Sequence, residues 1–272
     1  MEFEGSQLNI NELGSSGIVL SVEQEASLQA SLVILARDHK FRKVKLWGVV
    51  KGVQKDYFVA QGVGRDELKD RKFVYSQDLL QWNLLPHVDD GLKHKSTLLQ
   101  GRFTGDPSFV FELTATQRTG EGENTIDKVT TIEMKEEDRL AAVVTRIDEE
   151  GAIVPRGAYI KTALNEVTIN RSFQGLSFAE AKNLHYYVHF KETQTGEEEE
   201  KDIRHAMDFL KSLETDIPKG CWSLQMNQGG ASVVLRSLIW LGMVLYHNPG
   251  TPKFGYFYCG TGEKNLDIPF MF

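Results

Sequence analysis

Gly260-Thr261-Gly262-Glu263-Lys264 is the stretch of this 272-residue chain with the types and spacing nearest to a phosphate cradle. Such a loop works because backbone N–H groups and the N-terminus of a following helix face the anion. Here only eight residues follow Lys264, Pro269 among them, so a helix has no room. Asn265 stands where a metal-holding Ser or Thr is wanted, and it also occupies the third glycine position of the dinucleotide pattern. Gly260 and Gly262 are read instead as turn residues that accept φ > 0. A nucleotide-binding protein using the Gly260–Lys264 turn is kept as the alternative function. A small-ligand binder with a cavity in its sheet is a third reading.

His185 and His189 are four apart, the spacing of two metal ligands on one helical face. The residues between them, Tyr186-Tyr187-Val188, lack the glutamate of a metalloprotease motif, and no third ligand lies nearby. The two cysteines, Cys221 and Cys259, are too few for a disulfide scaffold or zinc cluster and are expected to be reduced and buried. No G-x-S-x-G elbow is present, and the 38 acidic side chains show no pairing across a cleft. These residues predict no catalytic group, no metal and no cofactor. Arg236 alternates with Val234 and Leu238 on an apolar segment and must meet a partner if buried, either in an internal ion pair or at an interface.

The elements that would position these groups begin at SVEQEASLQASLVILARDHK. Ser21 and Gln24 form a capping box there, and Leu28, Leu32 and Leu35 make one stripe. A hairpin follows over residues 43–63, with Val44, Leu46 and Val50 expected on one face and Trp47 and Val49 on the other. Short strands are expected at Phe73–Tyr75, Gln81–Leu84 and Leu98–Thr104, a turn at Gly105-Asp106-Pro107 and a polar loop over 117–125. A charged helix over 134–150 comes next, then a helix over 178–187 opened by a Ser177–Glu180 capping box. Residues 1–18 read as a flexible lead-in, 19–190 as an α+β part and 191–204 as an exposed acidic loop around Glu197–Glu200. Residues 205–272 read as an antiparallel part, forming one compact domain with 19–190.

From Cys221 onward strand follows strand, broken by Asn227-Gln228-Gly229-Gly230 and by His247-Asn248-Pro249-Gly250: an antiparallel meander. Val233, Leu235, Ile239 and Leu241 are assigned to one face, and Val234, Leu238, Trp240 and Leu245 to the other. After the last turn Leu266, Ile268, Phe270 and Phe272 alternate with smaller or polar residues. They are expected on one face of a docked, extended tail, against its own sheet or a second subunit. Pro269 confines that tail to an edge. The fold class is thus α+β, β-rich, with a C-terminal antiparallel meander sheet and a few packing helices. Arg236, Trp240, Ile268, Phe270 and Phe272 are the candidate partner interface.

Composition sets the class. With 41% apolar and 25% charged residues the chain can bury a core, and a net charge of −7 argues against nucleic acid as partner. The basic cluster Lys40, Arg42, Lys43 and Lys45 is read as a solvated strand end. The polar, acidic N-terminus shows no secretory signal, and the longest apolar run, residues 238–246, is half a bilayer span, so no membrane insertion and synthesis in the cytosol are expected.

Seven blocks then carry a resemblance: LWGVVKGVQKDYFVAQGV (46–63), GRFTGDPSF (101–109), IVPRGAYIKT (153–162), NRSFQGLSFAEAKNL (170–184), LETDIPKGCWSLQM (213–226), VVLRSLIW (233–240) and YCGTGEKNLDIPF (258–270). In this order they resemble the radial spoke head protein 9 family of motile cilia and flagella. DIPKGCWSLQ and VVLRSLIW are also similar to the larger radial spoke head paralogues of the 4 and 6 type. The chain departs from the family pattern at Leu241-Gly242, where proline commonly follows the tryptophan, and in the acidic 191–204. The resemblance implies a non-enzymatic structural subunit of the radial spoke head, in the axoneme. It would pair with those larger paralogues and other spoke proteins near the central pair apparatus and help relay signals that regulate dynein-driven motility.

Overall fold

The computed structural model describes Gly14 and residues 19–119, 126–192 and 209–270, apart from the side chains of 113–132 and Gln228. The rest of the lead-in, most of the acidic 191–204 stretch and Phe272 lie outside the described residues.

Helix α1 (Val22–Asp38) starts as its sequence dictates. Ser21 Oγ accepts the Gln24 N–H at 3.2 Å, and Gln24 Oε1 accepts the Ser21 N–H at 2.9 Å. The hairpin β1 (Lys43–Val50) and β2 (Tyr57–Val63) follows, then β3 (Arg71–Ser76) and the two-residue β4 (Asn83–Leu84). β1 carries a bulge: Leu46 opposes Ala60 and Gly48 opposes Val59, leaving Trp47 as the extra residue. A bulge reverses the inside–outside parity beyond it. Trp47 and Val50 therefore share one core, while Leu46 and Val49 share the other, which corrects the simple alternation.

Residues Asp90–Leu98 form helix α2, capped by Asp89, whose side chain accepts the Leu92 N–H. The strand expected at Leu98–Thr104 is absent: α2 ends at Leu98, and only Phe103 makes a single bridge, to Gly52. β5 (Val110–Thr119) and β6 (Ile126–Lys135) pair as a ribbon, so the strand takes residues 117–119 from the expected polar loop. α3 (Glu136–Gly151) runs straight out of β6.

β7 (Ile153–Pro155), β8 (Tyr159–Lys161) and β9 (Val167–Ile169) are short. The Ser177–Glu180 bonds form, with Ser177 N–H to Glu180 Oε2 at 2.8 Å, yet no α-helix follows. Two 3₁₀ turns, Glu180–Lys182 and Leu184–Tyr186, are separated by Asn183, whose extended backbone starts the second. The chain then runs into β10 (Tyr187–His189), paired with β7.

The expected meander is present as β11 (Trp222–Asn227), β12 (Ser232–Ser237), β13 (Met243–His247) and β14 (Phe254–Gly260). It joins the N-terminal strands through a parallel pair, β1 with β14, in register Gly48 to Tyr258. The result is one eight-stranded mixed sheet ordered β11-β12-β13-β14-β1-β2-β3-β4. The fold is α+β and β-rich, as read from the sequence.

Both faces of the sheet are covered. Leu28 of α1 packs with Leu46, Val49, Phe58, Val234 and Phe257 on one face. Leu140, Val144 and Ile147 of α3 pack with Trp47, Val59, Val233, Leu235 and Tyr258 on the other. Leu245 and Trp240 belong with Val233 and Leu235 on the α3 side; Leu245 opposes Leu235 across β12–β13, and residues paired directly point the same way. Exposed Leu241 belongs to neither core; it stands in the tight β12–β13 turn where Gly242, at φ +101°, would bring a Cβ within 2.1 Å of the Cys259 carbonyl oxygen. Among the described residues, no helix is long and apolar enough to cross a membrane.

Candidate docking site

The Gly260–Lys264 turn is tied into the protein's own fold. Lys264 Nζ lies 2.7 Å from Glu150 Oε2 at the end of α3, and the Trp240 Nε1–H donates to the same oxygen at 2.9 Å. Burial pushes Glu150 up, but Lys264, the Trp240 N–H and Arg146 outweigh it and hold the carboxyl below its ordinary value. Tyr258 Oη accepts the Gly262 N–H at 2.8 Å, so that amide is also engaged. Gly262 has the positive φ expected, +78°; Gly260 ends β14 without one and is crowded by the Leu241 carbonyl, 2.4 Å from where a Cβ would sit. The lysine holds a helix to a sheet.

His185 and His189 do not converge, because the helix that would align them is absent. His185 Nδ1 meets Glu214 at 3.0 Å and its Nε2 meets Arg156 at 2.9 Å. His189 Nε2 meets Asp216 at 2.8 Å, and the Trp222 Nε1–H donates to the same carboxylate. These bonds strap residues 212–216 to β10 and β11. Among the described residues no three metal-type ligands come together. The basic cluster is also split: Lys43 pairs with Glu67 at 2.7 Å, while half-buried Lys45 lies over the Tyr256 ring, where burial lowers it to about 8 despite Asp148. Both cysteines are free. Burial, with Asp216 adding to it, pushes the Cys221 thiol up to about 11, and burial raises Cys259 too, so neither is primed as a thiolate.

The candidate interface residues divide. Trp240 and Ile268 lie within the chain's own core. Arg236 is half-buried and donates to Gln225 Oε1 on the neighbouring β11. The tail is not a strand. Ile268–Phe270 is a 3₁₀ turn closed by the Phe270 N–H to the Asp267 carbonyl at 2.9 Å, and it turns the side chains apart. The expectation of four apolar groups on one docked face is therefore corrected: Ile268 is inserted, whereas Leu266 is 67% and Phe270 87% exposed.

Asn265 anchors this tail, its N–H donating to the Ile239 carbonyl at 2.8 Å and its Nδ2 to the Leu238 carbonyl at 3.1 Å. Leu241, 55% exposed, is two residues from that anchor. Leu266, next to that anchor, and Leu241, two residues beyond Ile239, thus flank the β12–β13 turn, while Phe270 is exposed further along the tail. Sequence reasoning passed over Leu241 and Leu266 as site residues; the run of large apolar residues on either side of the Gly242 turn was the available signal.

The chain is 44% identical to the radial spoke head protein 9 homolog of Bos taurus, 43% to that of Homo sapiens and 44% to that of Danio rerio, each match covering 100% of both chains. It belongs to the radial spoke head protein 9 family. No protein-family model matches it. The seven blocks are therefore parts of one likeness that runs from end to end.

Proposed function

We propose that the chain is a non-enzymatic structural subunit of the radial spoke head in the axoneme of motile cilia and flagella. It docks on larger head paralogues of the 4 and 6 type and helps pass central-pair signals to the dynein motors. The end-to-end likeness to radial spoke head proteins carries this reading. Exposed Leu241 and Leu266 beside the β12–β13 turn, with Phe270 exposed further along the tail and Arg236 near the end of β12, supply a surface of the right kind. Exposed clustered apolar groups on a folded subunit mark a contact with another protein. The engagement of Lys264 by Glu150 weighs against the nucleotide reading, since the cation a phosphate would need already has a carboxylate.

The test is co-expression with a larger head paralogue followed by size-exclusion chromatography. Co-elution is expected, and it should be lost when Leu266 and Phe270 are both replaced by Asp. A chain that stays monomeric beside its paralogue, with no partner in cilia extracts, overturns the proposal.

A further inference from the structure

The two ends of the main sheet are built differently. β4 is two residues long, and a very short edge strand is one of the ordinary ways to blunt a sheet edge. β11 offers six residues, Trp-Ser-Leu-Gln-Met-Asn, with no charge and no proline, so it carries none of the usual protection. It pairs only with β12, and among the described residues no backbone hydrogen bond joins the outer edge of 222–226 to anything else. Its side chains alternate cleanly: Trp222, Leu224 and Met226 pack toward the α3-side core, while Gln225 points to the opposite face, where Arg236 holds it. Two exposed apolar groups flank β11 along the chain or at its end. Ile217, 87% exposed, precedes it by five residues, and exposed Phe178 packs against Gly230 at the turn just after it.

We infer that β11 is a strand-addition site, taking an extended, uncharged segment of the partner subunit as a ninth strand of this sheet. The inference rests on the proposed docking to a larger paralogue and names a contact distinct from the C-terminal corner. A row of unpaired N–H and C=O groups at strand spacing is matched by another strand, which supplies the same groups at the same repeat. Apolar side chains at every second position of the incoming segment would extend the Trp222–Leu224–Met226 face, and its ends would rest on Ile217 and Phe178. A charged segment would set its charges against this uncharged edge without compensation. A second copy of this chain is the less favoured occupant, because each copy carries a net charge of −7 and the two would repel.

Hydrogen–deuterium exchange on the co-expressed complex tests this, read against the chain alone. The outward-facing amides of 222–226 should slow by about tenfold or more on binding, as paired strand amides do. Replacing both Ser223 and Gln225 by Glu, which puts charge on the edge where Arg236 on β12 can balance it, should weaken the complex by at least about tenfold while leaving circular dichroism and melting temperature of the free chain near wild type. A complex that forms with these amides still exchanging freely sinks the strand-addition site but leaves the structural role standing. No complex at all sinks both. Light scattering of the chain alone should report a monomer; a dimer with 222–226 protected would give the edge to a second copy and also overturn the inference.

Discussion

Buried polar side chains fix the interior of this protein, and two of them lead to measurable outcomes. Asp148 on α3 accepts from the Trp47 indole at 2.9 Å and the Gln61 amide at 3.3 Å and pairs with Arg71 at 2.5 Å. Asp148→Ala leaves a buried guanidinium without its counter-charge. The expected loss is about 3–5 kcal/mol, read from urea unfolding, against a smaller loss for Asp148→Asn. His247 is buried between a donor and an acceptor: its Nδ1 lies 3.1 Å from the Lys253 carbonyl, and its Nε2 accepts the Leu176 N–H at 3.2 Å. Only the neutral ring with its proton on Nδ1 satisfies both. Burial lowers its pKa below the ordinary 6.5, outweighing the bond to Lys253. Between 6.5 and that lower value the unfolded chain binds more protons than the folded one, so the contribution of His247 is full above pH 6.5 and is lost as pH falls below it. The melting temperature should fall from pH 7.5 to 5.5 more steeply for the native protein than for His247→Gln. The difference corresponds to at most about 1.4 kcal/mol per pH unit. Equal slopes would show that His247 takes up its proton as readily in the folded chain as in the unfolded one, so that burial does not hold it neutral.

The elements meet at the parallel seam between β1 and β14, where the N-terminal hairpin joins the C-terminal meander. Gly48 makes that seam possible, since a Cβ there would lie 2.4 Å from the Tyr258 carbonyl oxygen. Gly48→Ala should therefore cost about 1–3 kcal/mol through forced backbone movement, seen as a lowered thermal midpoint. If residues 19–190 and 205–270 form one domain, the variant still unfolds in a single transition; two separated transitions would make them separate units. The partners in this seam are more than 200 residues apart in the chain, so periodicity could not reveal it, whereas the meander was legible because its turns are local. The α1 capping box was legible for the same reason. Failures came where one local signal had a hidden competitor. The Trp47 bulge reversed a parity that the residue types alone could not show, and Asn183 cut short a helix whose Ser177–Glu180 start was read correctly. Helix α2 was missed because its polar sequence buries little, although Asp89 ahead of it was a usable capping signal. At the proposed docking surface the apolar residue types were legible, but which of them face outward depends on the 3₁₀ turn at Ile268–Phe270.

At the scale of the whole molecule, the C-terminal corner separates what holds this subunit together from what would hold it to another. Ile268 and Phe270 are two residues apart, yet one is inserted in the core and the other stands in solvent. Removal of the tail would confound the two roles, whereas single substitutions separate them. Ile268→Ala should destabilise the free chain by about 2–5 kcal/mol, because it empties a filled buried site. Phe270→Asp should leave stability within about 0.5 kcal/mol, because the side chain touches little of its own fold. In co-expression the order reverses. Phe270→Asp should weaken association with the larger paralogue by at least about tenfold, the loss of one well-placed aromatic anchor at an interface. Ile268→Ala should bind nearly as the native chain does at temperatures where it remains folded. Unfolding curves and pull-down titrations on the two variants give four numbers. A Phe270→Asp chain that is both stable and fully competent to bind would move the docking surface away from this corner, leaving Arg236 and the β11 edge as the remaining ground for contact at that end of the sheet.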